Sequence, residues 1–236
     1  MRKALLSVII VSGIILSMIS SSVTVVFAFS NDVIREKTFT TYYVNPIGTP
    51  STDSYNVYAY SGVHWSTGKV VTYYVNSKGA PTGAIIAIKK AFETWDGQIG
   101  NRLFNDNVQV ANSKLVGNRY DGKNVVSWGR LGQGIIAQTT VWYYTTTKEI
   151  VEFGMVFNTA YKWGIDADGK GSTYTLTNAF DVQNIATHEA GHTLMLEDLY
   201  TQATNALTMY GYGSYGQTYA LSLGAGDISG IKAVYP

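Results

Sequence analysis

Two of the three histidines in this 236-residue chain stand four residues apart, in the segment His188-Glu189-Ala190-Gly191-His192. Residues four apart lie on one face of an α-helix, separated by one turn of about 5.4 Å. Both imidazoles can therefore reach a single metal ion, provided that this segment is helical and is held in place by the rest of the fold. The spacing thus constrains the local structure and the chemistry together.

Two neutral imidazoles with one further nitrogen or oxygen ligand favour zinc as the metal. Glu189 directly follows His188, so its carboxylate points to a different side of the helix and need not bind the ion. It can instead act as a general base on a water molecule that the ion activates, and later pass the proton to a leaving amine. We therefore predict one catalytic Zn²⁺ bound by His188 and His192, with Glu189 as the catalytic base. Two histidines that merely pack or hydrogen-bond are the alternative, which leaves Glu189 unexplained.

The segment after His192 resembles the metzincin clan of zinc peptidases, whose extended motif is H-E-x-x-H-x-x-G-x-x-H. Asp198 stands where this motif has its third histidine, and Met195 stands where it has glycine. The resemblance implies that Asp198 is the third zinc ligand, and an aspartate oxygen is chemically adequate for that role. Glu197 is the nearest alternative ligand and His64 a remote one. Because glycine permits a turn at positive φ, we expect either a differently shaped turn here or strain at Met195.

A second match to the clan lies downstream, in the segment Asn205-Ala-Leu-Thr-Met-Tyr-Gly-Tyr-Gly213. Metzincins place a methionine in a tight turn beneath the zinc ion, and the resemblance assigns this floor to Met209. Within the clan, the Met-Tyr pair and residues 223–235 are similar to the matrixin branch, in which the latter stretch forms the closing helix. Tyr210 and Tyr212 then either line the substrate pocket on the primed side of the scissile bond or simply pack.

The matrixin resemblance covers residues 58–236 and implies a metzincin (zincin-like) catalytic domain of the mixed α+β class. Its sheet is expected to be mixed, twisted and five-stranded, with two main helices and a C-terminal helix. Apolar residues at helical spacing predict the first helix between Pro81 and Trp95. Strands are predicted near residues 70–75, 108–110, 124–128, 135–144 and 150–157. The strand at 135–144 is expected at the sheet edge, where an extended substrate peptide can add.

The first 28 residues have the pattern of a secretory signal peptide. Arg2 and Lys3 precede an apolar stretch, and Ala28 offers a small residue before a cleavage site. We therefore expect a secreted, extracellular protein in which residues 29–57 are an N-terminal arm or a short pro-segment. The alternative is an uncleaved anchor facing outside, because the apolar stretch is long enough to span a bilayer.

Composition excludes several classes of function. A net charge of +1 gives no strong attraction to nucleic acid. The absence of cysteine excludes disulfides, thiol nucleophiles, cysteine-bound zinc and the cysteine-to-zinc latency contact of many matrixin pro-segments. Residues 166–171, Asp-Ala-Asp-Gly-Lys-Gly, resemble the start of a calcium loop but lack its closing acidic residue. A structural Ca²⁺ and an ordinary Gly/Asp turn both remain open there.

These features together predict a secreted zinc endopeptidase that acts as a monomer on a protein or peptide substrate. It would have no stable membrane association once the signal is cleaved. The rival hypothesis is a secreted or surface binding protein on a catalytically degenerate metzincin scaffold. Met195 and Asp198 favour that rival, whereas the retained Glu189 argues against it. Hydrolysis of a non-peptide amide by the same zinc chemistry is a third possibility.

Overall fold

A computed structural model of the chain describes residues 32–44, 56–111, 114–166 and 176–236. Within these ranges the protein is a mixed α+β structure with a seven-stranded mixed sheet, a two-stranded sheet and three α-helices. In chain order the elements are β1 (Ile34–Tyr43), β2 (Tyr73–Val75), α1 (Ala84–Asp96), β3 (Gln109–Val110), β4 (Asn124–Gly129), β5 (Ile135–Tyr144), β6 (Ile150–Asn158), β7 (Trp163–Gly164), β8 (Phe180–Asp181), α2 (Val182–Thr193), β9 (Tyr212–Gly213) and α3 (Ala225–Val234).

The large sheet has the strand order β3-β2-β4-β6-β5-β1-β9. The five strands predicted from the sequence form the contiguous block from β3 to β5, in which β5 runs antiparallel to β6 and the other neighbours are parallel. The predicted number of five strands is wrong, because β1 and β9 extend this block. β1 falls in the segment assigned to an arm or pro-segment, and β9 has only two residues, too few for a periodic signal.

β5 does not lie at the edge of the sheet, so this prediction is also wrong. β1 runs antiparallel to β5 along its whole length, from Ile34 opposite Tyr144 to Tyr42 opposite Ile135. On its other side β1 pairs in parallel with β9. The chain's own N-terminal segment therefore occupies the place where an incoming peptide was expected.

Helix α1 packs against α2. Its buried face recurs at helical spacing and comprises Ala84, Ala87, Ile88, Ala91, Phe92 and Trp95. The indole Nε1 of Trp95 donates a hydrogen bond of 2.8 Å to the carbonyl of Thr187 in α2. Because both helices also pack against the aromatic core, the position of α2 is fixed along most of its length.

Residues 32–236 form one compact unit, so β1 belongs to the same unit as the domain predicted from residue 58 onward. The predicted signal at residues 1–28 and the connection at residues 45–55 lie outside the described residues. Among the described helices, none has the length and apolarity needed to cross a membrane. Of the calcium-like segment, only Asp166 is described; it is buried, and its backbone N–H donates to Asp181 at 2.6 Å.

Candidate metal centre

Helix α2 begins at a well-defined cap and is buried almost throughout. The carboxylate of Asp181 accepts a hydrogen bond of 2.7 Å from the backbone N–H of Asn184, which satisfies one of the free donors of the first turn. His188, Glu189 and His192 are all buried in the second half of this helix. Their side chains therefore have little rotational freedom and project from a rigid element.

The structure brings His188, His192 and Asp198 together into one group that can hold a metal ion. The two Nε2 atoms lie 3.0 Å apart. Each of them lies 3.3 Å from Oδ1 of Asp198. Two imidazole nitrogens and one carboxylate oxygen thus converge on a single buried point.

Backbone carbonyls fix which ring nitrogen of each histidine carries its proton. Nδ1 of His188 lies 2.7 Å from the carbonyl oxygen of Thr208, and Nδ1 of His192 lies 2.8 Å from that of Leu196. A carbonyl only accepts, so both Nδ1 atoms are donors and the neutral rings present lone pairs at Nε2. Oδ1 of Asp198 is buried and has no hydrogen-bond partner among the described residues. The three atoms are close enough together for one divalent cation to take all of them as ligands.

The pKa shifts of His188 and Asp198 indicate that the site stabilises a positive charge. Burial lowers the pKa of His188, but the Asp198 carboxylate and then Glu189 outweigh this effect and raise it to about 9. Burial also acts to raise the pKa of Asp198, yet the two imidazoles hold that pKa far below its ordinary value. The group therefore favours a positive charge beside the carboxylate, as a bound divalent ion would provide.

The turn after α2 brings Asp198 beside the two histidines. Met195 has φ of 63°, so of the two alternatives the chain adopts the second, the left-handed turn that glycine would allow. Such a conformation costs a side-chain-bearing residue about 1 kcal/mol or more. The N–H of Met195 bonds to the carbonyl of His192 at 2.8 Å, and its side chain is fully buried. Burial of that side chain offsets the strain, because a buried methionine contributes about 1.5–3 kcal/mol.

Met209 packs directly against Gly191 of α2. A Cβ atom built on Gly191 would overlap Sδ of Met209 and the ring of Trp95, so the close approach requires glycine at this position. The carboxylate of Asp227 accepts hydrogen bonds from the N–H groups of Thr208 (2.7 Å) and Met209 (3.1 Å). Asp227 therefore holds the turn that supplies the Thr208 carbonyl to His188. Asp227 was not among the predicted site residues, although an acidic residue in the first turn of a predicted helix is a recognisable signal.

Glu189 lies outside the three-residue group and is fully buried. Its Oε1 accepts a hydrogen bond of 2.6 Å from the hydroxyl of Thr41 in β1. Its Oε2 accepts one of 2.5 Å from the hydroxyl of Thr139 in β5. Both threonines were absent from the predicted site, because only the strand pairing brings them to α2.

The two alternative ligands lie elsewhere. Glu197 is partly exposed, and its carboxylate accepts hydrogen bonds from Lys37 and Ser61. His64 pairs through its backbone with the turn that precedes β6. Oδ2 of Asp198 accepts a hydrogen bond of 3.1 Å from the hydroxyl of Tyr200, which leaves Oδ1 directed at the histidines.

Asp198 lies beside the two histidines, whereas Glu197 pairs with Lys37. Substituting each acid in turn should therefore have different effects on zinc affinity. Asp198→Ala is expected to reduce zinc affinity at least 100-fold, because it removes the only carboxylate in the group. Glu197→Gln is the matched control and is expected to leave zinc affinity within about twofold. Both values come from competition with a chromogenic chelator. Full zinc occupancy in Asp198→Ala, with loss in Glu197→Gln, would reverse the assignment of the third ligand.

A small cavity lies beside His188, between α2 and the chain that follows Met209. Tyr210 and Tyr212, the two predicted pocket residues, both lie in its wall, and their ring centroids are 5.6 Å apart. Thr41 of β1 lines the same cavity. β1 therefore contributes to the wall of this cavity together with the two tyrosines.

The site thus draws its groups from α2, from the turn after it, from β1 and β5, and from the turn around Met209. Residues far apart in the chain are brought together by strand pairing and by the Asp227 hydrogen bonds.

Neither a scan against protein-family models nor a search of curated proteins found a match to this chain.

Proposed function

We propose that this protein is a secreted zinc endopeptidase of the matrixin-like, metzincin type. The observation that carries the proposal is the buried convergence of His188, His192 and Asp198 next to a carboxylate, Glu189, that is not part of the group. A structural metal site needs no such adjacent base, whereas hydrolysis does. We also propose that the enzyme acts as a monomer on protein or peptide substrates, after removal of residues 1–28.

The donor set fits zinc. Two imidazole nitrogens and one carboxylate oxygen are a common set for catalytic zinc, which keeps its fourth position open. The buried and otherwise unpartnered Oδ1 of Asp198 supports this fit. When bound, zinc supplies a Lewis acid that polarises the scissile carbonyl and lowers the pKa of a water molecule to about 7.

The residues of the chain have separate tasks. Glu189 takes the proton of the attacking water and delivers it to the leaving amine. The hydroxyl of Thr139 orients the Glu189 carboxylate by donating a hydrogen bond to Oε2. The carbonyls of Thr208 and Leu196 hold the two imidazole rings in the orientation that directs Nε2 at the ion.

Three features of the fold support the matrixin-like assignment. The block β3-β2-β4-β6-β5 precedes α2 in the chain and packs against it through β5. A left-handed turn follows His192, at the position where the clan has glycine. Met209 packs against Gly191 of α2, which is compatible with the methionine floor that the resemblance assigns to it.

The rival function, a binding protein on a degenerate scaffold, is favoured by one observation. β1 covers β5 and contacts Glu189, so a peptide cannot pair with β5 while β1 remains there. The two functions differ in whether a chain that has bound zinc also cleaves a peptide.

The test is to purify residues 29–236 and to measure zinc content and cleavage of casein or gelatin, with and without a chelator. We expect about one zinc per chain and, once the N-terminal segment has been trimmed by limited proteolysis, cleavage that the chelator abolishes and added zinc restores. One zinc without cleavage, even after the N-terminal segment has been trimmed by limited proteolysis, would favour the binding function. A chain that binds no zinc would contradict the metal site itself.

A further inference from the structure

β1 lies across the candidate site and directs alternate side chains into it. The Phe39 ring stacks on the His192 ring, with centroids 4.2 Å apart and planes inclined by 6°, and is only 4% exposed. Two residues later, the Thr41 hydroxyl donates to Glu189. Two residues earlier, Lys37 forms an ion pair with Glu197. This two-residue repeat is that of a strand with one face against the site.

β1 is bound in the manner of an added peptide. It pairs antiparallel with β5 on one side and parallel with the short β9 on the other. The N–H of Val44 continues the β9 side by donating to the carbonyl of Gly213 at 3.0 Å. An extended segment held between two strand edges, with alternate side chains in pockets, is the geometry of peptide recognition by strand addition.

We propose that β1 occupies the groove that receives the extended substrate peptide, so that the protein is latent while β1 is bound. This inference rests on the proposed endopeptidase function. The Thr41 hydroxyl engages the carboxylate that must act as base, and Phe39 covers a face of His192. The chain has no cysteine, so it cannot block the site through a thiol. Here β1 itself blocks the site, and the hydroxyl of Thr41 contacts Glu189, the proposed general base.

The register of β1 also indicates which substrates fit the groove. Glu197 faces the position of Lys37 and would attract a basic side chain of the substrate. The His192 ring and its surroundings accept an aromatic side chain two residues later. The small side chain of Thr41, a further two residues on, lies in the wall of the cavity that Tyr210 and Tyr212 also line, and its hydroxyl contacts Glu189. The preferred peptide therefore has a basic residue, then an aromatic residue, then a small residue, each separated by one outward-facing position.

β1 remains bound because it is part of the same chain. An attached strand has an effective concentration in the millimolar range or above, which a separate peptide must exceed in order to displace it. Proteolysis between β1 and residue 58 would remove this advantage and leave β1 with only its own contacts. Peptide cleavage should therefore rise after the N-terminal segment is cut.

A disulfide lock tests whether β1 must leave. Thr38 and Thr140 are direct partners across β1 and β5, and their hydroxyl oxygens lie 2.9 Å apart on the outer face. The double variant Thr38→Cys/Thr140→Cys can therefore form a cross-strand disulfide without touching the site. The wild-type chain is the control for reductant, since it has no cysteine of its own.

A second pair of variants loosens β1 instead. Phe39→Gly/Thr41→Gly removes the two side chains that contact His192 and Glu189. Thr38→Gly/Thr40→Gly is the matched control, with the same spacing in the same strand but on the outward face. Zinc content and amide hydrogen exchange of residues 34–43 are measured on every sample, so that loss of metal or fold is separated from release of the strand.

The inference predicts that the oxidised double-cysteine protein binds one zinc but cleaves at least tenfold more slowly than its reduced form. It also predicts at least tenfold faster cleavage, and faster exchange in residues 34–43, for the inward glycine pair than for the outward pair. Equal cleavage by all forms would overturn the inference alone, since the site would then work with β1 bound. Zinc binding without cleavage in any form would overturn the proposed function and the inference together.

Discussion

Glu189→Gln is expected to abolish peptide cleavage while zinc remains bound. Glutamine keeps the shape of the side chain but cannot take a proton from water at neutral pH. General-base catalysis contributes about 10²- to 10⁴-fold to such reactions, and a loss of that size in kcat/KM is expected. Because Glu189 is outside the metal-binding group, the zinc content should stay at about one per chain. The measurements are steady-state cleavage of a peptide and zinc per chain by atomic absorption.

The fold should tolerate this change. The two partners of the Glu189 carboxylate are the hydroxyls of Thr41 and Thr139, and a hydroxyl can accept as well as donate. The glutamine amide can therefore be satisfied after one hydroxyl rotates. Glu93→Gln makes the same chemical change at an exposed carboxylate of α1, away from the site, and should change kcat/KM far less. A Glu189→Gln protein with wild-type kcat/KM would exclude Glu189 as the base.

The chemistry of the metal group was predictable because it is encoded locally. His188, Glu189 and His192 lie within five consecutive residues of one helix, and Asp198 follows after a single turn. The strands β4, β5 and β6 and the helix α1 were also found, since each has a strong apolar pattern of its own. Such local signals depend little on the rest of the fold.

The surroundings of Glu189 were not predictable in this way. Thr41 lies 148 positions from Glu189 in the chain, and Thr139 lies 50 positions away. Threonine hydroxyls have no sequence pattern that indicates a partner, and only the register of β1 with β5 brings Thr41 to the site. The error about the edge strand has the same origin, because a strand at the edge and a strand with one more neighbour have similar composition. The pairing of β1 with β5 therefore determines both the partners of Glu189 and the position of β5 in the sheet, which local sequence patterns do not encode.

His192→Ala is expected to lose zinc binding and, with it, both activity and zinc-dependent stability. Removal of one of two imidazoles should weaken zinc binding by more than the 10- to 100-fold typical of lost outer partners. His64→Ala is the matched control, because it removes the histidine that lies outside the group and should leave zinc affinity unchanged. The measurements are zinc affinity by chelator competition and the unfolding midpoint with and without zinc.

The unfolding data separate the role of His192 as a ligand from its role in packing. Without zinc, His192→Ala loses the stack with Phe39 and leaves the Leu196 carbonyl unpaired, which costs about 1–3 kcal/mol. Added zinc stabilises a binding-competent chain by about 4 kcal/mol when its free concentration is 1,000 times Kd. Wild type and His64→Ala should show this increment and His192→Ala should not. An equal zinc increment in all three proteins would mean that the ion is bound elsewhere, and the histidine pair would then be a packing feature of α2.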